Sequence, residues 1–181
     1  MKPIHLIPLA NGAAAPGLDL LEHLAATLAR TFHTPCQIRP ETFDVGFSVD
    51  ERRQQYYSTA ILQRLESRAE SNARILGVTG CDLYVPVLTF VFGEAQLDGS
   101  CAVVSTARLH DEFYGLPSND SLLRERLIKE SAHELGHTFG LRHCPDWRCV
   151  MSSSHGVELM DVKGPEFCDD CRRVVDADKF W

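Results

Sequence analysis

The segment HELGHTFGLRHC, residues 133–144, brings three histidines, a glutamate, two glycines and a cysteine into one short stretch. His133 and His137 stand about one helical turn apart, so their imidazoles share a helix face and can hold a single ion. Glu134 projects beside them, at the position suited to taking a proton from a metal-bound water, which is hydrolytic chemistry. A third ligand at His143 cannot lie beside the first two if the helix simply continues. Gly140 is the residue type that reaches the positive φ needed to end a helix sharply, so the pattern HExxHxxGxxH has a mechanical reason for its glycine.

The chain holds seven cysteines. Cys144 with Cys149, and Cys168 with Cys171, form two close pairs, the pattern of a closed four-thiolate structural zinc site. The alternative is a redox role for the Cys168–Cys171 pair. A metal staple is the stronger reading, because the surrounding tail has little apolar periodicity with which to build a core. Cys36, Cys81 and Cys101 stand alone in apolar surroundings and read as small core residues. His143 and Cys144 are neighbours in the chain yet serve different ions, so one metal helps to position a ligand of the other. His5, His23, His33, His110 and His155 have no evident partner and read as surface or loop residues, with His110 and Tyr114 placed near the cleft.

The elements that must position these groups follow from periodicity. MKPIHLIPLANG reads as a first strand, and Leu18, Leu21, Ala25, Leu28 and Phe32 recur at helical spacing over 17–33. CQIRP is a second strand. Ser48 and Glu51 match a capping box, which predicts a long helix over 49–71. RILGVTGCDLYV, VLTFVFGEAQ and CAVVSTARL read as strands, the last two joined by the short LDGS link as an antiparallel hairpin. SLLRERLIKESAHELGHTF is a helix with cap candidates Asn119, Asp120 and Ser121. Its apolar stripe, Ile128, Ala132, Leu135 and Phe139, lies opposite His133 and His137, so the stripe packs on the sheet and the imidazoles face a cleft. The tail is loop-like until CRRVVDADKFW, a short helix. Strands alternating with helices and followed by a hairpin give a mixed α/β sheet.

Composition narrows the partners. A chain of 181 residues with 44% apolar content can bury the core of one compact domain. A formal charge of -7 argues against nucleic acid and anionic membranes, which select clustered Lys and Arg. No apolar run approaches the roughly 18 residues of a membrane span, and the N-terminus is too interrupted for a secretory signal. The expectation is a soluble, cytoplasmic monomer with reduced thiols.

HExxHxxGxxH resembles the signature of the metzincin clan of zinc peptidases, which is followed by a methionine-containing turn. Met151 takes that role in the resemblance, as an apolar base beneath the three imidazoles. The fuller arrangement, with Cys144 after the last histidine, then Cys149-Val-Met151 and FCDDC, resembles the archaemetzincin family, and the match extends upstream to RLHDEFYGLP. It implies a metzincin-like zincin fold: a mixed twisted sheet with an antiparallel edge strand, a catalytic zinc helix and a small zinc-stapled C-terminal subdomain. On that reading residues 1–140 form the upper part and 141–181 the lower part of one catalytic domain. The upper rim of the cleft is an edge strand at residues 88–96, pairing with extended peptide by strand addition.

The implied mechanism uses His133, His137 and His143 as neutral ligands of a catalytic zinc, which lowers the pKa of water towards about 7. Glu134 takes the proton as the water attacks a peptide carbonyl and passes it to the leaving amine. Cys144, Cys149, Cys168 and Cys171 hold a second, structural zinc. Spacing does not decide between aminopeptidase action on small peptides and cleavage of internal bonds. Two other classes stay open: a catalytically silent zinc-stabilised module that grips peptide or protein without cutting it, and a redox or zinc sensor working through the cysteines.

Overall fold

The computed structural model describes residues 2–12, 15–69 and 72–177. In chain order its elements are β1 (Ile4–Ala10), α1 (Leu18–Phe32), β2 (Cys36–Ile38), β3 (Phe43–Asp44), β4 (Val49–Asp50), β5 (Gln55–Tyr57), α2 (Ser58–Glu66), β6 (Arg74–Thr79), β7 (Leu83–Tyr84), β8 (Gly93–Ala95), β9 (Cys101–Ser105), α3 (Asp120–Thr138), α4 (Val157–Val162) and α5 (Asp169–Ala177). The main sheet has the order β2-β1-β6-β9-β8, with β3 also pairing with β1. All its pairings are parallel except β8 against β9. The expected mixed α/β sheet with an antiparallel edge strand is therefore present. A small second sheet, β4-β5-β7, lies apart from it.

Alternation along the strands divides the core. Ile4, Leu6, Leu76, Val78, Ala102 and Val104 face α1 and α3, and the apolar residues of the C-terminal segment, among them Val150, Met160 and Val175, join this same cluster. Leu9, Ile75, Cys101 and Val103 face the opposite way and pack against Ile61, Leu62 and Leu65 of α2. Such two-sided covering is what a largely parallel sheet requires.

The helix anticipated over 49–71 does not form as one unit. Asp50 turns its carboxylate onto the N–H groups of Arg52 and Arg53, and Ser48 Oγ donates to Val45 O rather than capping a helix. Gln55–Tyr57 then pairs on both sides, antiparallel with β4 and parallel with β7, and only Ser58–Glu66 is helical. Residues 70 and 71 lie outside the described residues. Strand RILGVTGCDLYV is broken into β6 and β7, and only Gly93–Ala95 of the anticipated 88–96 arm is strand. Arg53 donates to the carbonyls of Leu88 and Thr89, and Gln55 to that of Thr89, which holds this stretch out of the sheet. Helix α4 falls in a stretch read as loop, and the end of the final helix, 178–181, lies outside the described residues. Cys81 and Cys101 are buried, whereas Cys36 on the edge strand β2 is half-buried. His5 is a buried residue of β1, its Nδ1 3.1 Å from Arg39 Nη2, and not a surface histidine. Among the described residues no helix is long and apolar enough to cross a membrane.

Candidate active site

Helix α3 carries the first half of the motif. Asn119 caps it by accepting from Leu122 N at 3.1 Å, and its last two turns are buried on almost every side, so His133 lies inside the protein at 5% exposure. The helix stops at Gly140, whose φ is +82°. Gly140 N donates to His137 O and Leu141 N to Gly136 O, the paired bonds of a Schellman turn. The reversal brings His143 back, and one ring nitrogen from each of His133, His137 and His143 lies within 4.8 Å of the others.

The hydrogen bonds behind the rings fix their tautomers. His133 Nδ1 donates to Val150 O at 2.9 Å, and His137 Nδ1 donates to Leu141 O at 2.7 Å. A carbonyl only accepts, so each neutral ring carries its proton on Nδ1 and a lone pair on Nε2. The two Nε2 atoms face each other at 3.2 Å. Two lone pairs make no hydrogen bond with one another; a cation between them satisfies both, and the donor set suits zinc. Burial lowers the pKa of all three imidazoles, that of His133 to about 3, so they are neutral and ready to ligate near neutral pH.

Met151 is fully buried, its sulfur set against Gly136 between the two helical histidines. The base role that the resemblance gives Met151 is thus matched by burial against the helix that carries His133 and His137. Glu134 is buried against the edge strand. A Cβ on Gly93 would lie 2.6 Å from Glu134 Cγ, so glycine is the residue that admits the carboxylate there. Burial, and after it the charge of Glu130, raises the Glu134 pKa well above the usual carboxylate range. The cleft on one side of the histidines is lined by Phe90, Phe92, Glu130 and His155, and on the other by Ala95, Leu97 and Arg142. Tyr114 instead donates to Arg108 O, and neither it nor His110 lines either space. His155, read as a surface or loop residue, lines the cleft; Lys163 escaped the sequence reading because no spacing rule links it to the motif, and Glu130, one helical turn before Glu134, because it lies outside the HExxH pattern.

The four motif cysteines also meet, their sulfurs all within 4.8 Å of one another. Cys168 N donates to Cys149 Sγ at 3.3 Å. Burial raises the pKa of Cys144 and Cys171, while the backbone N–H of Cys171 lowers that of Cys168 at the start of α5. Cys144 N donates to Met151 O at 2.9 Å, which ties the two clusters together.

Residues 28–177 match the sequence pattern of peptidase family M54. The chain belongs to that family. It is 43% identical over 157 residues to the archaemetzincin of Methanocaldococcus jannaschii, covering 87% of this chain and 86% of that protein. Among solved structures, archaemetzincin from Archaeoglobus fulgidus, in complex with malonate, superposes with a TM-score of 0.81 at 36% identity, covering 95% of this chain and 99% of that one. A zinc-dependent peptidase from Methanocorpusculum labreanum gives a TM-score of 0.85 at 30% identity over the same shares. This M54 chain is thus a zinc metallopeptidase by family with the fold of the archaemetzincins, as the motif implied.

Proposed function

We propose that this M54 chain hydrolyses peptide bonds with zinc held by His133, His137 and His143, with Glu134 as general base, and with a second, structural zinc held by Cys144, Cys149, Cys168 and Cys171. The observation that carries the reading is the pair of Nε2 lone pairs facing each other at 3.2 Å, with both Nδ1 protons already donated to carbonyls. Zinc in such a site supplies Lewis acidity, which brings the pKa of water to about 7 and polarises a carbonyl. Glu134 takes the proton of the attacking water and delivers it to the leaving amine, from a place in the cleft beside His133 and His143.

The edge strand supplies the substrate register. Ser105 N donates to Phe92 O and Gln96 N to Cys101 O, so residues 92, 94 and 96 point their backbone groups at β9. Gly93 and Ala95 turn theirs outward, free to pair with an extended peptide across the cleft from His133. On this reading one domain carries both sites, the described residues up to 140 above the cleft and 141–177 below it, because the C-terminal apolar residues share the core of α1 and α3.

The first test is zinc content per chain on tag-free protein, for wild type and His137→Ala. Two zincs falling to one support the reading; one zinc unaffected by the substitution overturns the histidine site. Peptides with free and blocked N-termini, assayed beside Glu134→Gln, then separate exopeptidase from endopeptidase action. A zinc-loaded wild type that binds peptide and cleaves none leaves the silent binding module instead.

A further inference from the structure

The reading of Glu134 as general base leaves two buried charges without a role. Glu130 lies one helical turn before Glu134, the spacing that sets two side chains next to each other on a helix, and both are buried and line the cleft beside His133. Lys163, just after α4, brings its ammonium 3.9 Å from Glu130 Oε2, with side-chain exposures of 2% and 7%. Its Nζ also donates to Ser152 O at 3.2 Å, next to Met151. On the opposite side Glu134 is closed in by Gly93. The carboxylate therefore lies between the edge strand and Glu130, its neighbour one turn back, which Lys163 pairs and ties to Ser152 O.

Anchoring of α4 does not account for Lys163. A second buried lysine, Lys129, already pins that end of the helix by donating to the carbonyls of Met160 and Asp161, both at 3.1 Å. Arg126 adds a bidentate pair with Asp161, at 2.7 Å through each oxygen. Lys163 instead faces the carboxylates, at a site where a buried ammonium is costly unless it is paired.

We infer that Lys163 and Glu130 are positioning residues for the hydrolysis proposed above: Lys163 fixes Glu130, and Glu130 fixes the carboxylate of Glu134 against the edge strand so that it faces the cleft. The inference rests on the reading of Glu134 above. It gives the buried pair a consequence for turnover that a purely structural ion pair does not have.

The test uses the zinc-loaded full chain with Lys163→Met, Glu130→Ala, the double variant Glu130→Gln/Lys163→Met, and Glu134→Gln in parallel. Lys163→Met should lose at least about tenfold in kcat, part of the 10²–10⁴ that a general base supplies, with KM within about twofold. It should keep its zinc content. The double variant should recover to within about threefold of wild type, because a glutamine amide needs no counter-charge and can itself donate to Glu134. Affinity for acetohydroxamate, read by calorimetry without turnover, should fall about tenfold in Lys163→Met and recover in the double variant. A double variant as slow as Lys163→Met, Lys163→Met at the wild-type rate, or loss of its zinc each overturns the inference. If Lys163→Met does not fold, Glu130→Ala decides: kcat within twofold of wild type overturns it. Full turnover in Glu134→Gln instead overturns the base assignment itself, a separate outcome from a fast Lys163→Met beside an inactive Glu134→Gln.

Discussion

Replacing Cys168 by serine should weaken metal binding at the histidines, although Cys168 touches none of them. The path runs through residues 144–151. His133 depends on Val150 O at 2.9 Å, and Val150 follows Cys149, whose sulfur shares the four-thiolate cluster with that of Cys168. The backbone of Val150 is itself held by Glu166 O at 2.9 Å. His143 is more exposed than the other two histidines and has no hydrogen-bonding partner for its ring among the described residues, so its place rests on the chain continuing into Cys144. Loss of one orienting partner behind a ligand typically costs 10–100-fold in metal affinity. Here one ligand loses its acceptor and another its anchor, which puts the expectation near 100-fold, about 2.7 kcal/mol. Competition with a chromophoric chelator measures both sites in wild type and Cys168→Ser. By linkage, filling the histidine site must strengthen the cysteine site by the same factor, which His137→Ala checks from the other side. A Cys168→Ser protein that has lost its thiolate-site zinc yet binds zinc at the histidines within about threefold of wild type would refute this coupling.

Gly93→Ala places a methyl 2.6 Å from Glu134 Cγ and 2.7 Å from Val103 O, so it should cut kcat/KM at least about tenfold while zinc content is unchanged; a fully active variant would mean the carboxylate has room that the edge strand does not show. Gly140→Ala meets no atom closer than 3.7 Å, so its cost is backbone strain alone, about 1–2 kcal/mol at a φ of +82°. At about 2–4 °C per kcal/mol for a chain of this size, that predicts a Tm lower by roughly 2–8 °C, and an unchanged melt is the contrary result. In zinc-free protein His133 should stay neutral down to about pH 3, because burial and then Lys163 oppose its charge. The unfolded ring protonates near 6.5, so acidification from there favours the unfolded chain, and the His133 contribution to stability is lost as pH falls. Ring-nitrogen NMR follows this directly, and a His133 that charges above pH 5 contradicts the burial.

The fold was most legible where local chemistry and tertiary demand agree. Leu21, Ala25, Leu28 and Phe32 are buried on one face of α1, as their spacing requires, although Leu18 at its start is exposed, and the LDGS link does close an antiparallel hairpin. The segment after Ser48 misled because a capping pattern is local, whereas Tyr56 and Tyr57 find their partners at Leu83 and Tyr84, beyond α2 and β6. Pairing with a distant strand overrode the helical pattern of 49–57. The upper rim misled in a similar way: the 88–96 arm alternates well enough for a strand, but side chains of Arg53 and Gln55 take the carbonyls that a longer strand would use.

At the site, the sequence displays ligands and hides what orients them. Every histidine and cysteine of the motif arrives where its spacing puts it, because a helix, a glycine turn and short loops are local devices. The acceptors behind the rings are backbone carbonyls of Val150 and Leu141, which no residue type announces. Lys163 is hidden for a different reason. An ammonium near a site built for a divalent cation is repulsive by itself, and its charge helps to lower the pKa of His133, His137 and His143. It is tolerable only because Glu130 and Glu134 also lie within its reach, each countering the fall in the Lys163 pKa that burial causes. The charge that belongs to the HExxH helix is therefore the sum over two carboxylates and a lysine from another part of the chain. A motif search sees one of those three groups, so it can find the metal site and miss what sets the charge and orientation of the base beside it.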